Sequence, residues 1–338
     1  MKAIAKVRND RGLEIIESSY PNILPDDYVL VRVDGVSICG TDLHIYEWDE
    51  WAKNRIKIPR IIGHEGTGIV EEIGKNVKNV RAGQRISFES HLPCLNCYQC
   101  KTGKMHICLN LNVLGIDIDG LFRKYVSVPS FIVIPNDFGI EAAILEPMGN
   151  AFHCLHRVNV SGKFVGILGD GPIALFLFYF AQKFGASKIF LIGASSYRIE
   201  LAYKLNKFNH YVLHYREPVE DIIKKETDGR MLDVVFEMAG VNQTVNMGLD
   251  LLGMGGKFVA FGILPNTINL DYNKIIFKAI DIVSINGRVM FDTWYFMMNI
   301  VKKEEIGMFV THYFDFDEYQ EAFRLLINRQ ALKVILKV

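Results

Sequence analysis

Four cysteines fall within fifteen residues, as Cys94-x2-Cys97-x2-Cys100-x7-Cys108, in one short polar stretch of the chain. Four thiolates at that spacing complete a tetrahedral zinc shell and leave no position open, which makes such a site structural. An iron–sulfur cluster uses the same donors, but nothing else in the chain asks for one. A second set of donors is dispersed, in Cys39-Gly-Thr-Asp-Leu-His44, Gly63-His64-Glu65 and Glu146-Pro-Met-Gly-Asn150. One thiolate (Cys39), one imidazole (His64) and the carboxylates Glu65 and Glu146 describe an open zinc site, with a place for water or a substrate oxygen. Zinc in such a site lowers the pKa of an alcohol, whose carbon then gives up a hydride to a nicotinamide. Thr41 and His44 are candidates for carrying away the alcohol's proton. Singly, each residue has a plainer reading: Cys39 a buried thiol, His64 a satisfied histidine, Glu146 an acid at a helix start. Together they point to chemistry.

The turn Gly169-Asp170-Gly171-Pro172-Ile173-Ala174 follows an apolar run and opens a helix-length segment, the context a G-x-G-x-x-G/A dinucleotide turn requires. Gly169 permits the tight turn, Gly171 lets backbone N–H groups approach a pyrophosphate, and Ala174 lets the helix pack closely on its strand. Pro172 and Ile173, next in the turn, are candidate cofactor-binding residues with them, and an ordinary glycine-rich turn is the alternative. An acid about 20 residues on ordinarily holds a free ribose 2′-hydroxyl. No carboxylate occurs between Gly171 and Ile199, where the second strand ends in Gly193-Ala194-Ser195-Ser196-Tyr197-Arg198. The Ser195 and Ser196 hydroxyls can donate to a 2′-phosphate and Arg198 can neutralise it, so NADP is expected over NAD. Arg198 serves equally well as the start of a solvated helix face. Tyr215 and Arg216 are placed to cover the adenine.

These groups need two kinds of scaffold. Up to about residue 150, short runs such as YVLVRVDGV and TGIVEEIG are broken by Gly, Pro and Asp turns, a mostly-β pattern. From Phe164, the runs FVGIL, KIFLIG, HYVLHY, LDVVFEMAG and GKFVAFG alternate with helix-length segments, the mark of a parallel sheet. IVSIN supplies a sixth strand, residues 292–301 and 317–328 read as helices, and KVILKV is a last strand that folds back onto the first domain. A chain of 338 residues suggests two domains. Lys+Arg and Asp+Glu both number 38, which leaves no net field to attract nucleic acid or an anionic membrane, and a small-molecule substrate is expected. The segment 164–184 is apolar but interrupted by Gly166, Gly169, Asp170, Gly171 and Pro172, too broken to span a bilayer. The N-terminus lacks a signal-peptide pattern, so a cytoplasmic protein is expected.

The order of CGTD, GHEGTGIVEEIG, the four-cysteine lobe and GDGPIA resembles that of the zinc-containing medium-chain alcohol dehydrogenases over essentially the whole chain. Within that family, CGTDLHIYEWDEW, EPMGNAFH, NGRVMFDTWY and VTHYFDFDEYQEAF are similar to the branch that oxidises L-threonine. The resemblance implies an α/β fold with a GroES-like, mostly-β catalytic domain (residues 1–152 and 290–338) and a Rossmann domain with a doubly wound parallel sheet (153–289). It implies a catalytic zinc on Cys39, His64 and a carboxylate, with Glu65 and Glu146 the matching acids and the ligating one free to change during turnover. It also implies a Thr41–His44 proton relay and a structural zinc on Cys94, Cys97, Cys100 and Cys108, hence two zinc ions per chain. The implied reaction takes L-threonine to L-2-amino-3-oxobutanoate in a homotetramer. Gly193 departs from the threonine branch, which places its ribose-binding acid there and uses NAD; family members that use NADP carry a glycine followed by small hydroxylated and basic residues. His91 and Arg288 are candidate substrate neighbours, with core or surface roles as the alternative. Oxidation of a polyol or diol, such as sorbitol or 2,3-butanediol, would use the same zinc chemistry. A non-catalytic nucleotide-binding protein would have no use for the intact Cys39, Thr41, His44, His64, Glu65 and Glu146.

Overall fold

The computed structural model describes every residue except Ile23, Pro265 and Asn266. Its chain divides into two compact units, Met1–Pro147 with Val289–Val338, and Met148–Arg288. The divisions fall at 147/148 and 288/289, in place of the expected 152/153 and 289/290. The first lies within the helix Leu145–His156, so that helix begins in one unit and continues in the other.

In the first unit, the runs read as β form a seven-stranded sheet. Along it lie Val133–Pro135, Arg85–Phe88, Glu65–Ile73, Tyr28–Ser37, Lys333–Lys337 and Val310–Asp315, while Tyr125–Pro129 also pairs with Tyr28–Ser37. The C-terminal strand joins this sheet antiparallel, with Ile335 opposite Ser37, so the tail does return to the N-terminal part. Residues pointing inward, such as Val31, Val36, Ile86, Phe88 and Phe122, are fully buried and form one core with Phe323 of the helix Tyr319–Ile327. Two short helices, Gly40–Glu47 and Glu50–Arg55, interrupt the β pattern. The first was illegible because its residues form no apolar stripe: only Asp42 and Ile45 are buried.

The second unit contains a six-stranded parallel sheet in the order Tyr211–His214, Lys188–Gly193, Phe164–Leu168, Leu232–Glu237, Leu252–Ala260, Asp281–Ser284. In chain order this is 3-2-1-4-5-6, the doubly wound arrangement that binds dinucleotides at its carboxyl edge. The strands Phe164–Leu168, Lys188–Gly193 and Leu232–Glu237 are near-continuous apolar runs buried almost throughout, whereas the edge strand Asp281–Ser284 is largely exposed. The interrupted apolar stretch resolves into strand Phe164–Leu168, a turn, and helix Pro172–Lys183. Pro172 opens that helix at a position whose N–H has no helical partner, and residues 174–182 are all buried. Among the described residues, no helix is long and apolar enough to cross a membrane.

Candidate active site and metal centres

Cys39 caps the helix Gly40–Glu47 in an extended conformation. Its backbone N–H donates to Asp42 Oδ2 at 2.9 Å, which fixes the turn and presents the thiol beside the helix start. His64 and Glu65 lie where the strand Glu65–Ile73 begins, and the register pairs Glu65 with Ser37. That pairing brings the dispersed donors together: one ligand atom each of Cys39, His64 and Glu65 lies within 4.8 Å of the others. His64 is 6% exposed and Glu65 fully buried. His64 Nδ1 and Glu65 Oε1 have no hydrogen-bond partner among the described residues. Burial disfavours the charged imidazole, but Cys39, Asp42 and Glu146 outweigh it and hold His64 near pKa 10. Burial also raises Asp42 to about 6. A thiol, an imidazole and a carboxylate within one ligand shell are the donor set of an open zinc site, and the ion would displace the imidazole's extra proton on binding.

Glu146 lies outside the 4.8 Å group. Its Oε1 accepts a hydrogen bond from Ser90 Oγ at 2.6 Å, and its influence on His64 places it at the same locus. Glu65 has a partner that sequence reasoning did not anticipate. Lys333, on the C-terminal strand and 2% exposed, donates through Nζ to Glu65 Oε2 and to the Ile38 carbonyl at 2.9 Å. Only the pairing of the last strand with Tyr28–Ser37 brings that ammonium there, and no local motif signals it.

Thr41 Oγ1 lies 3.8 Å from Cys39 Sγ. His44, on the next helical turn, pairs through Nδ1 with Asp49 Oδ2 at 2.6 Å, and its side chain is 59% exposed. Asp49 is held in turn as the N-cap of Glu50–Arg55, accepting from Ala52 N–H at 3.0 Å. Among the described residues no hydrogen bond joins Thr41 directly to His44. His91 Nδ1 pairs with Glu89 Oε1 at 2.7 Å, and Trp294 Nε1 donates to Glu89 Oε2 at 2.8 Å, so a buried acid and an indole orient this histidine. Arg288 is fully buried against the helix that carries Gly149 and Asn150, the core alternative for that residue.

In the four-cysteine lobe, all four sulfurs lie within 4.8 Å of one another. The separations of 3.5 Å (Cys97–Cys100), 3.4 Å (Cys94–Cys108) and 3.7 Å (Cys97–Cys108) exclude disulfides. They approach the roughly 3.8 Å edge of a zinc–thiolate tetrahedron. Backbone N–H groups of Asn96 and Cys97 lower the Cys94 thiol to about 6, whereas burial raises Cys100 to about 12. The lobe fits a closed zinc shell.

The glycine turn fits a dinucleotide. Gly169 has φ +128°, closed to side-chain-bearing residues, and a Cβ at Gly171 would meet no atom within 4 Å, which leaves room for a pyrophosphate at the helix start beside Pro172 and Ile173. Ser195 caps the helix Ser196–Leu205 by accepting from Arg198 N–H at 3.4 Å, and Ser196 is exposed. Tyr215 Oη accepts from Arg216 Nε at 3.0 Å. The end of the second strand is not free of carboxylate, as the interval from Gly171 to Ile199 had suggested: Asp170, just before that interval, accepts from the N–H groups of Ala194 and Ser195.

The family profile described as Alcohol dehydrogenase GroES-like domain matches residues 25–137, and that described as Zinc-binding dehydrogenase matches residues 172–303. The chain is 41% identical to the L-threonine 3-dehydrogenase of Caldanaerobacter subterraneus subsp. tengcongensis, over 99% of this chain and 98% of that protein. Its fold is similar to galactitol-1-phosphate dehydrogenase from Escherichia coli (TM-score 0.89, 24% identity, 100% of both chains). It is also similar to 2R,3R-butanediol dehydrogenase from Bacillus subtilis (TM-score 0.87, 24% identity, 100% of this chain and 99% of that one). The donor clusters, the doubly wound sheet and these likenesses agree, and the chain belongs to the zinc-dependent medium-chain alcohol dehydrogenase family.

Proposed function

We propose that this protein oxidises the β-hydroxyl of L-threonine to give L-2-amino-3-oxobutanoate, passing hydride to a nicotinamide dinucleotide. The full-length 41% identity to a protein of that name carries the reading, and the intact Cys39–His64–Glu65 cluster supports it. Cys39, His64 and either Glu65 or Glu146 would hold the catalytic zinc, and the four-cysteine lobe a second, structural one. Zinc, when bound, supplies Lewis-acid polarisation of the substrate hydroxyl.

The chain's own groups account for the proton. The Thr41 hydroxyl, beside the Cys39 sulfur, is placed to take the hydrogen of the substrate oxygen. His44 is the candidate to carry it outward, with its ring 59% exposed and its Nδ1 paired with Asp49 Oδ2 at 2.6 Å. Two electrons and one hydrogen leave carbon as hydride for the nicotinamide, and one proton leaves through this relay. His91, braced by Glu89 and Trp294, is the candidate for orienting the amino-acid end of the substrate. NADP is the acceptor expected from Ser195, Ser196 and Arg198, and Asp170 lies at the same strand end. A cytoplasmic location and a homotetramer belong to the same reading; the edge strand Asp281–Ser284, with Ile282 exposed, supports only the assembly.

The test is a reduction assay at the nicotinamide absorbance band, crossing L-threonine, sorbitol and 2,3-butanediol with NAD and NADP. Threonine is expected to give by far the highest kcat/KM. No turnover of threonine with either acceptor would overturn the reading, and turnover of a polyol or diol in its place would select polyol or diol oxidation.

A further inference from the structure

In a doubly wound sheet the adenosine ribose lies at the carboxyl end of the second strand, where an acid on that strand ordinarily meets the 2′-hydroxyl. Here that strand, Lys188–Gly193, ends in a glycine. The adjacent strand Phe164–Leu168 runs in register beside it, Leu168 opposite Ile192, and its following turn projects Asp170 across to the same place. Asp170 Oδ2 accepts from Ala194 N–H at 2.7 Å and Ser195 N–H at 2.6 Å. A Cβ at Gly193 would lie 2.9 Å from Asp170 Cβ and 3.0 Å from its Oδ2. Gly193 is therefore the slot that the Asp170 carboxylate fills, rather than a vacancy for a phosphate. The Arg198 guanidinium, assigned above to a 2′-phosphate, lies 3.9 Å from Asp170 Oδ1, with the two side chains 12% and 10% exposed.

We infer that Asp170 is the residue that selects the acceptor: its carboxylate, supplied from within the glycine turn, takes the place of the missing strand-end acid, accepts the ribose 2′-hydroxyl and excludes a 2′-phosphate, so that the acceptor is NAD. A 2′-phosphate needs N–H donors and positive charge, and here Asp170 occupies two backbone donors and lies beside the Arg198 guanidinium. A hydroxyl needs only an acceptor, and a carboxylate oxygen with its second partner at 3.9 Å retains that capacity. This inference rests on the reading of the chain as a nicotinamide-dependent dehydrogenase, and it reverses the NADP preference expected from the sequence.

Direct titration of the full-length protein with NADH and NADPH, followed by nucleotide fluorescence and without substrate, tests it. The unaltered protein is expected to bind NADH at least about tenfold more tightly than NADPH. Asp170→Asn, which keeps the shape and removes the charge, and Asp170→Ala should each erase that ratio. Gly193→Asp alone should weaken NADH binding because the slot is filled, whereas Gly193→Asp combined with Asp170→Ala should restore the NADH preference. Equal or tighter binding of NADPH by the unaltered protein would overturn the inference, as would an unchanged ratio in Asp170→Asn. Selective NADH binding without threonine turnover would sustain it and remove the substrate assignment; binding of neither nucleotide would remove both.

Discussion

The two cysteine-containing clusters of the first unit differ in how the chain assembles them. The lobe at Cys94, Cys97, Cys100 and Cys108 is local, closed on itself within fifteen residues by one helical turn and a few N–H···S bonds. The cluster of Cys39, His64 and Glu65 is long-range: it closes only through the pairing of Tyr28–Ser37 with Glu65–Ile73, and Lys333 arrives from the last strand. The first offers four thiolates and no open position; the second mixes donor types and adjoins a hydroxyl and an exposed histidine. Local construction suits a staple that must survive regardless of its surroundings. Long-range construction suits a site whose groups come from several elements and are fixed by the core.

Four single substitutions and one double change can break that contrast. Cys39→Ala should lower kcat about 10³-fold or more, the loss expected when Lewis-acid stabilisation is removed, and elemental analysis should show one zinc per chain retained. Full activity with one zinc would reverse the roles of the clusters. Lys333→Met leaves a buried carboxylate without its cation and should lower unfolding free energy by about 3 kcal/mol or more in denaturant titration. The double change with Glu65→Gln should recover most of that loss, and failure to recover would mean that the pair does not act as a unit. Thr41→Val should reduce kcat about 10²-fold with KM for threonine little changed, as for loss of a proton-relay hydroxyl. Cys94→Ser should have the smallest effect on turnover, within about threefold, while thermal unfolding becomes sensitive to mild chelation. A thousandfold loss of turnover from that change would end its assignment as purely structural.

The same contrast explains what the sequence disclosed. Four thiols in fifteen residues announce a metal because the donors need no fold to be neighbours. The central parallel strands are legible because burial on both faces makes them continuous apolar runs, and Phe164–Leu168 and Lys188–Gly193 coincide with the runs FVGIL and KIFLIG. Cys39, His64 and Glu65 were legible as a list but not as a geometry. Lys333 was invisible, since only the antiparallel register of the last strand takes it to Glu65. Along the chain Asp170 is only the residue between the two turn glycines; the cross-strand register brings it beside Gly193. In each case the missing information was a partner remote in sequence, which periodicity and spacing do not encode.

A hydride is expected to leave the β-carbon of L-threonine for a nicotinamide, with the Cys39–His64 cluster required. L-Threonine carrying deuterium at the β-carbon, turned over by the zinc-loaded protein, should place that deuterium on the reduced nicotinamide, as read by mass spectrometry, and Cys39→Ala should abolish the transfer. Reduced nicotinamide without deuterium, or undiminished transfer in Cys39→Ala, would contradict the account.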